Sequence, residues 1–293
     1  MVSPREVSPK RAPRASRTGS GSAPKAAKAA REARKERAPE QVFRHPIGAL
    51  EQRLRRFYCE AMPRLGFRQF IVGAQGARFL IGNVDLIDRH IGWDAMWEPT
   101  QLERLAALAH RRPFDLFLDI GANTGFYSVM MTMKKLTPEA IAFEPDPGNY
   151  ARLSANLALN GLGDRVRLYP YALGDRRGET RLTQAAAENR GESWLEHADQ
   201  PAGEVTIIVE ERRFDDEFAF RGRQLLIKMD VEGYEFRVLA GMAKTLKENS
   251  CYLQVELYSP HIEKLKSIFA GLGYRYLGSH EIDHYFTNIA GIE

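Results

Sequence analysis

The chain has 293 residues, 44% hydrophobic and 27% charged, with a net charge of +4, which allows one sizeable core plus appendages. No apolar signal segment and no transmembrane-length run appears, which speaks against a secreted or membrane-spanning chain. Charge is uneven: residues 1–40 hold 11 Lys/Arg against 4 Asp/Glu, a net of +7, and the remainder holds 31 against 34, a net of −3.

Residues 1–40 are rich in Ala, Arg, Ser, Pro and Lys and nearly free of large apolar side chains, so this basic tail is expected to be disordered. A solvated extension is the plain reading. The alternatives are a contact with nucleic acid or an anionic membrane, or an Arg- and Ser-rich transit peptide. Residues 41–112 read as an N-terminal helical and hairpin extension. Ile47, Leu50, Leu54, Phe57, Tyr58 and Ala61 fall at helical spacing with arginines between them. A hairpin follows, with residues 70–72 and 77–81 flanking a turn at Gly73–Gly76. Residues 84–98 resist assignment, and Trp93 and Trp97 are expected on the core edge rather than at a substrate mouth. Pro99 opens a helix with Leu102, Leu105, Leu108 and Ala109 on one face. Cys59 and Cys251 lack metal-ligand spacing and fit a reducing compartment, so a cytoplasmic location is expected.

Residues 113–293 alternate strands and helices, the pattern of an α/β domain with a mostly parallel sheet. Strands are expected at 115–120, 140–144, 166–169, 224–229, 251–256, 273–278 and 283–288, with helices near 124–135, 148–160, 235–247 and 260–271. Residues 179–210 interrupt the alternation. Glu179–Thr183 and Val205–Val209 read as extra strands, and the polar stretch 185–203 between them as a lid or a mobile loop.

The most informative stretch is 115–125, Asp-Leu-Phe-Leu-Asp-Ile-Gly-Ala-Asn-Thr-Gly: a buried strand, a tight turn and a helix start. Ligands of an open α/β sheet bind outside the carboxyl ends of strands, where such turns lie. Gly121 and Gly125 would let a ligand approach the backbone. The spacing is not Gly-x-Gly-x-x-Gly, so it suits a smaller anion than a pyrophosphate, such as an amino-acid carboxylate. The next strand ends in Glu144, about twenty residues on, where an acid meets ribose hydroxyls. Leu225-Leu226-Ile227 reads as a central strand delivering Lys228 and Asp230 to its carboxyl end, and Glu256 should end the neighbouring strand beside Asp230.

Asp-Ile-Gly-Ala-Asn-Thr-Gly-Phe-Tyr-Ser, Phe-Glu-Pro-Asp-Pro (143–147), Asn156 with Asn160, Ala172-Leu173-Gly174-Asp175 and above all Ile-Lys-Met-Asp-Val-Glu-Gly-Tyr-Glu (227–235) resemble the FkbM family of S-adenosylmethionine-dependent methyltransferases. The resemblance covers roughly residues 90–290. It implies a Rossmann-like class I methyltransferase fold, seven-stranded with the last strand antiparallel, and methyl transfer to a hydroxyl of a sugar, glycan or secondary metabolite. In that light Asp119 is placed for the cofactor ammonium, against a structural role capping the following helix. Asn123 could bond the cofactor carboxylate, Glu144 the ribose, and Ala172 leaves room for adenine. Asp146 is weighed against ordinary turn chemistry, and Asn160 against a helix C-cap.

Asp230, Glu232 and Lys228 carry the catalytic expectation. Acids clustered at strand ends in half-buried surroundings suit a general base or a cation site. The plainer reading is a Lys228–Asp230 ion pair with Glu232 and Glu235 facing water. Asp230 and Glu256 together could hold Mg²⁺, and His261 is an alternative base. The rival function is ribose methylation of RNA with the basic tail as its arm, opposed by a net acidic body without a basic and aromatic stripe. The acceptor's identity and the oligomeric state are left open.

Overall fold

From residue 41 the chain runs through α1 (Ala49–Arg64), the hairpin β1 (Phe70–Ala74) and β2 (Ala77–Ile81), α2 (Leu86–Asp94) and α3 (Pro99–Arg111). Alternation then begins with β3 (Leu116–Ile120), α4 (Phe126–Met133), β4 (Ala140–Phe143), α5 (Pro147–Leu159), β5 (Val166–Tyr169) and the short β6 (Ala172–Leu173). It continues through β7 (Gly178–Gln184), β8 (Trp194–Leu195), β9 (Val205–Arg212) and α6 (Phe214–Glu217). The last elements are β10 (Gln224–Met229), α7 (Glu235–Gly241), α8 (Ala243–Glu248), β11 (Ser250–Glu256), α9 (Ile262–Gly271), β12 (Arg275–His280) and β13 (Asp283–Thr287). The computed structural model describes residues 41–82, 85–184, 194–195, 205–258 and 260–292. The expected disorder of 1–40 and the lid or loop expected at 185–203 fall outside them, apart from β8.

Seven strands form one sheet in the order β12-β13-β11-β10-β3-β4-β5. β13 is antiparallel to both neighbours, and the pairs from β11 through β10, β3 and β4 to β5 are parallel. β3 and β4 are buried at every position, as strands covered by helices on both faces are. The period-2 alternation of β3 splits its side chains between two apolar clusters. Phe117 joins one with Val129 and Leu226, while Leu118 and Ile120 join the other with Ile227 and Met229. The described residues pack as one unit, and Phe43, Phe79 and Ile91 of the extension share a cluster with Phe117.

The chain leaves β3 towards β4 on one side and returns as β10 on the other, so a crevice opens at this switch of direction. Register sets what lies there. Ile120 pairs with Phe143 and with Met229, and Met229 pairs with Val255. The next residue of each strand, Gly121, Glu144, Asp230 or Glu256, therefore stands at one level along the carboxyl edge.

Four features depart from the sequence expectation. Residues 84–98 contain a helix, α2, whose N-cap Asp85 accepts the Asp88 N–H (2.7 Å). The expected helix 235–247 breaks into α7 and α8. At the break Gly241 lies so close to the Gly174 carbonyl that a Cβ would stand 1.8 Å from it. The interruption builds a second sheet, β6-β9-β7-β8, rather than a lone pair of strands. Finally, the apolar stripe of α1 faces outward: the helix packs through Cys59, while Leu50 and Phe57 are each 72% exposed.

Candidate active site

Gly121 and Gly125 both have positive φ, +80° and +82°, which glycine adopts without strain. Their missing side chains make room for the protein itself. A Cβ on Gly121 would stand 1.7 Å from the Asp230 carbonyl oxygen, and one on Gly125 would stand 2.0 Å from Leu153 Cδ1. The glycines thus close the turn against the β10 tip and α5, where the sequence reading reserved that space for a ligand. Gly121 and Ala122 both donate N–H to the Phe143 carbonyl (3.1 and 3.0 Å), and Asn123, at φ +50°, donates its N–H to Glu144 Oε2 (2.7 Å).

Glu144 is buried, and its second oxygen accepts the Asp146 N–H (2.8 Å). Burial pushes its carboxyl up to about 8, against the lowering effect of those two N–H donors. Each oxygen keeps a lone pair for a further donor. Around it lies a cleft whose walls include Gly121, Asn123, Ala172, Asp230 and Glu232.

Three expected cofactor residues do not border this cleft: Gly125, which packs against Leu153, and the acids Asp119 and Asp146. Asp119 is 1% exposed, and its Oδ2 accepts both the N–H (3.0 Å) and the Oγ hydrogen (2.6 Å) of Ser128, tying β3 to the first turn of α4. These bonds are the ones the structural reading expects, at the start of the following helix. Asp146 is the N-cap of α5, accepting from Gly148 and Asn149 (2.7 and 3.0 Å) ahead of Pro147 at the first helical position. In both cases a short carboxylate is claimed by adjacent helix-start donors.

On the other side of the β10 tip lies a second cleft of about 760 Å³. Its walls include six carboxylates, Glu98, Asp230, Glu232, Glu256, Glu281 and Asp283, and, among the described residues, no Lys, Arg or His. The compensating cation lies just behind: Lys228 is 4% exposed, with Nζ 2.8 Å from Asp230 Oδ2 and 4.9 Å from the centre of the Tyr127 ring. Burial alone would lower its pKa, but Asp230, Glu98, Glu256 and Asp119 outweigh burial and hold the ammonium charged well above its ordinary range. Burial, then the neighbouring Asp230, pushes Glu256 up to about 10. Burial likewise carries Glu98 to about 7.

The ion pair of the plainer reading is therefore present, and it sits where both clefts meet, since Asp230 and Glu232 border each. Glu232 adopts φ +51° in the turn after β10, a strained conformation for a residue with a side chain. Glu235 does not face water: it is 1% exposed and accepts the Gly233 N–H (2.8 Å). His261 is exposed, edge-on to Phe236, and borders neither cleft. Oxygens of Asp230, Glu232 and Glu256 lie within 4.8 Å of one another, a donor set that suits a hard divalent cation, with Lys228 already balancing one of them.

Sequence reasoning missed Glu98, Tyr127, Gln101, Gln254 and Asp283. Tyr127 donates its hydroxyl hydrogen to Glu98 Oε2 (2.5 Å). Gln254 donates to Asp283 Oδ1 (2.8 Å) and Gln101 to Asp283 Oδ2 (3.1 Å). One signal was available: Gln254 interrupts an apolar strand two residues before Glu256, on the same face. Asn156, which the sequence offers only as part of a motif, also has a role. It accepts the Leu80 N–H (2.7 Å) and donates to the Thr124 carbonyl (2.8 Å), fastening the hairpin to the glycine turn.

The sequence description of the Methyltransferase FkbM domain matches residues 119–276. The chain is 31% identical over 165 residues to the 2-O-methyltransferase NoeI of Sinorhizobium fredii, covering 50% of this chain and 67% of that protein. It is 32% identical over 174 residues to the methyltransferase sdnD of Sordaria araneosa, covering 49% and 66%. The matches thus span about two thirds of each relative. Among solved structures, the methyltransferase FkbM from Methylobacillus flagellatus overlaps at a TM-score of 0.41 and 16% identity, covering 79% of this chain and 70% of that one.

Proposed function

The chain belongs to the FkbM family of S-adenosylmethionine-dependent methyltransferases, and from that premise we propose that it methylates a hydroxyl of a glycan, sugar or secondary metabolite. The observation that supports this reading best is that Asp230 and Glu232 border both clefts. A donor held on one side and an acceptor on the other meet at one carboxylate.

In this reading Glu144 takes the ribose hydroxyls on its remaining lone pairs, the turn at 121–125 faces the amino-acid end, and Ala172 leaves space for the base. Bound there, the sulfonium supplies an electrophilic methyl carbon. Asp230 accepts the acceptor's hydroxyl proton as that oxygen takes the methyl and the sulfur departs with the carbon–sulfur electron pair. Lys228 holds Asp230 in place, and the remaining acids orient neighbouring hydroxyls. Positioning supplies much of such an acceleration. Six carboxylates without a cation in the wall oppose a phosphate-bearing acceptor, so the RNA reading has only the basic tail behind it.

Calorimetric titration with the donor, followed by labelled-methyl transfer to a panel of glycans and hydroxylated metabolites, tests the proposal. Asp230→Asn should lower the rate by about 10²–10⁴ while the donor still binds. A parent protein that takes up no donor, or an Asp230→Asn variant that turns over at the parent rate, would overturn it. Chelation decides the Mg²⁺ part of the reading: a rate unchanged by excess EDTA leaves Lys228 as the sole counter-ion of the acids.

A further inference from the structure

Among the described residues, twelve large apolar side chains are exposed, and seven of them fall within residues 50–71. Scattered exposed apolar groups are ordinary, but a concentration marks a contact surface. Leu50, Leu54 and Phe57 are 72%, 60% and 72% exposed and stand at i, i+4 and i+7, so they form one stripe along α1. Leu65 at its C-cap continues the stripe, and Phe67 and Ile71 follow in the chain. The opposite side of the helix holds it to the body. Cys59 is fully buried there, and Arg55 donates to the Ile91 carbonyl (2.9 Å).

The polar part of the outer face is mainly basic. At 3.6 residues per turn, Arg53 and Arg64 fall along one edge of the apolar stripe with Glu60 beside them, and Arg56, over the Trp93 ring (4.4 Å), in the row beyond, and all four are exposed. Arg68 lies in the exposed turn that follows. An apolar stripe edged by arginines is the pattern of a helix lying in a membrane interface.

We propose that this face docks the chain on an anionic lipid bilayer, with α1 in the plane of the interface, Leu50, Leu54 and Phe57 at the acyl boundary and the arginines among the headgroups. The charge pattern selects this occupant over a second copy of the chain. A two-fold pairing of α1 would set the arginine rows of two copies side by side, whereas anionic headgroups neutralise them. Residues 1–40 add a net +7 of the same sign to the attraction. No helix among the described residues is long and apolar enough to cross a membrane, so the contact is peripheral. α1 packs on α2, and Leu86 and Ile87 at the start of α2 border the acidic cleft. The surface and that cleft therefore share a supporting helix. The inference does not depend on the methyl-transfer reading.

The test is co-sedimentation of the full chain with vesicles of 7:3 phosphatidylcholine and phosphatidylglycerol, with pure phosphatidylcholine alongside, at about 0.15 M salt where surface charges are screened beyond ~8 Å. The parent should bind the anionic vesicles in preference to the neutral ones. Because the three side chains are exposed, Leu50→Ser, Leu54→Ser and Phe57→Ser combined should leave the unfolding midpoint unchanged while lowering partitioning at least about tenfold. Arg53→Gln with Arg64→Gln should weaken binding and flatten its salt dependence. Three outcomes overturn the proposal: a parent that stays in the supernatant, a triple apolar variant that binds as well as the parent through the basic tail alone, or a parent that light scattering shows as a dimer and the triple variant as a monomer, without vesicle binding.

Discussion

On the donor side of the β10 tip one carboxylate, Glu144, accepts N–H bonds from Asn123 and Asp146, and the turn beside it is closed by glycines pressed against Asp230 and Leu153. On the acceptor side six carboxylates from four separate segments stand around one buried lysine. The first arrangement satisfies its acid with neutral backbone dipoles and leaves spare lone pairs for hydroxyl donors. The second balances acids with a single cation and is held by charge. In the proposed reading donor recognition is therefore local, while the acceptor cleft is assembled by the topology of the sheet and is sensitive to every charge in it.

Removing the cation should produce the largest effect. Lys228→Met breaks the ion pair with Asp230 and removes the charge that balances Glu98, Glu256 and Asp119, and should cost about 3–5 kcal/mol of stability, measured by urea unfolding at pH 8. The loss should shrink on acidification. The carboxyls of Glu98 and Glu256 are held at about 7 and about 10 in the fold, above the roughly 4.3 of an unfolded glutamate. The folded state therefore binds more protons, and stability falls as pH rises through that window. A variant as stable as the parent at pH 8 would break the contrast, because the acceptor side would then need no cation.

Glu144→Gln should act next most strongly, and on the donor side alone. One oxygen able to accept is replaced by an amide, and a hydrogen bond to a charged group is worth about 1.5–3 kcal/mol, so the donor dissociation constant should rise roughly 10- to 150-fold. Its pH dependence sharpens the comparison. With the carboxyl held near 8, a proton must leave before both oxygens can accept ribose hydroxyls. Affinity in the parent should fall up to about tenfold per pH unit below 8, and the Gln variant should show a flat profile. Calorimetry at pH 6, 7, 8 and 9 reads both.

The same contrast explains what could be read from residues alone. The donor side is written in contiguous stretches, 119–125 and 143–147, whose turn chemistry and spacing spell out strand, turn and acid in a row. Strand order and the shared level of Gly121, Glu144, Asp230 and Glu256 follow from the alternation and from register. The acceptor side has no such text. Glu98 precedes a helix as an unremarked residue before Pro99, and Asp283 begins a strand late in the chain. They meet Glu256 only because β13 folds back between β11 and β12. Glu98, Glu281 and Asp283 also lie outside the residues that match the family. Asp119 and Asp146 show the opposite case: both sit within legible motifs, and nearby helix-start N–H groups bond one oxygen of each.

The smallest effects should separate two asparagines that hold the hairpin to the donor side. Arg152, Asn156 and Asn160 follow each other at i, i+4 and i+8 on α5 and its C-cap, hence on one face, and each meets the N-terminal extension. Arg152 pairs with Asp85 and Asp88 (3.2 and 2.9 Å). Asn160 bonds both the N–H and the carbonyl of Arg78 (2.9 and 2.8 Å) in an exposed setting, where water can replace it. Asn156 is fully buried, and its loss strands the Leu80 N–H and the Thr124 carbonyl. Asn156→Ala should therefore cost about 1–3 kcal/mol, the penalty for unsatisfied buried groups, and Asn160→Ala about 0.5–1 kcal/mol. Because Thr124 belongs to the glycine turn, only the first should also weaken donor binding. If the two variants unfold at the same urea concentration and bind the donor alike, the hairpin is not what holds that turn in shape, and the rigidity of the donor side must come from the close approach of Gly121 to Asp230.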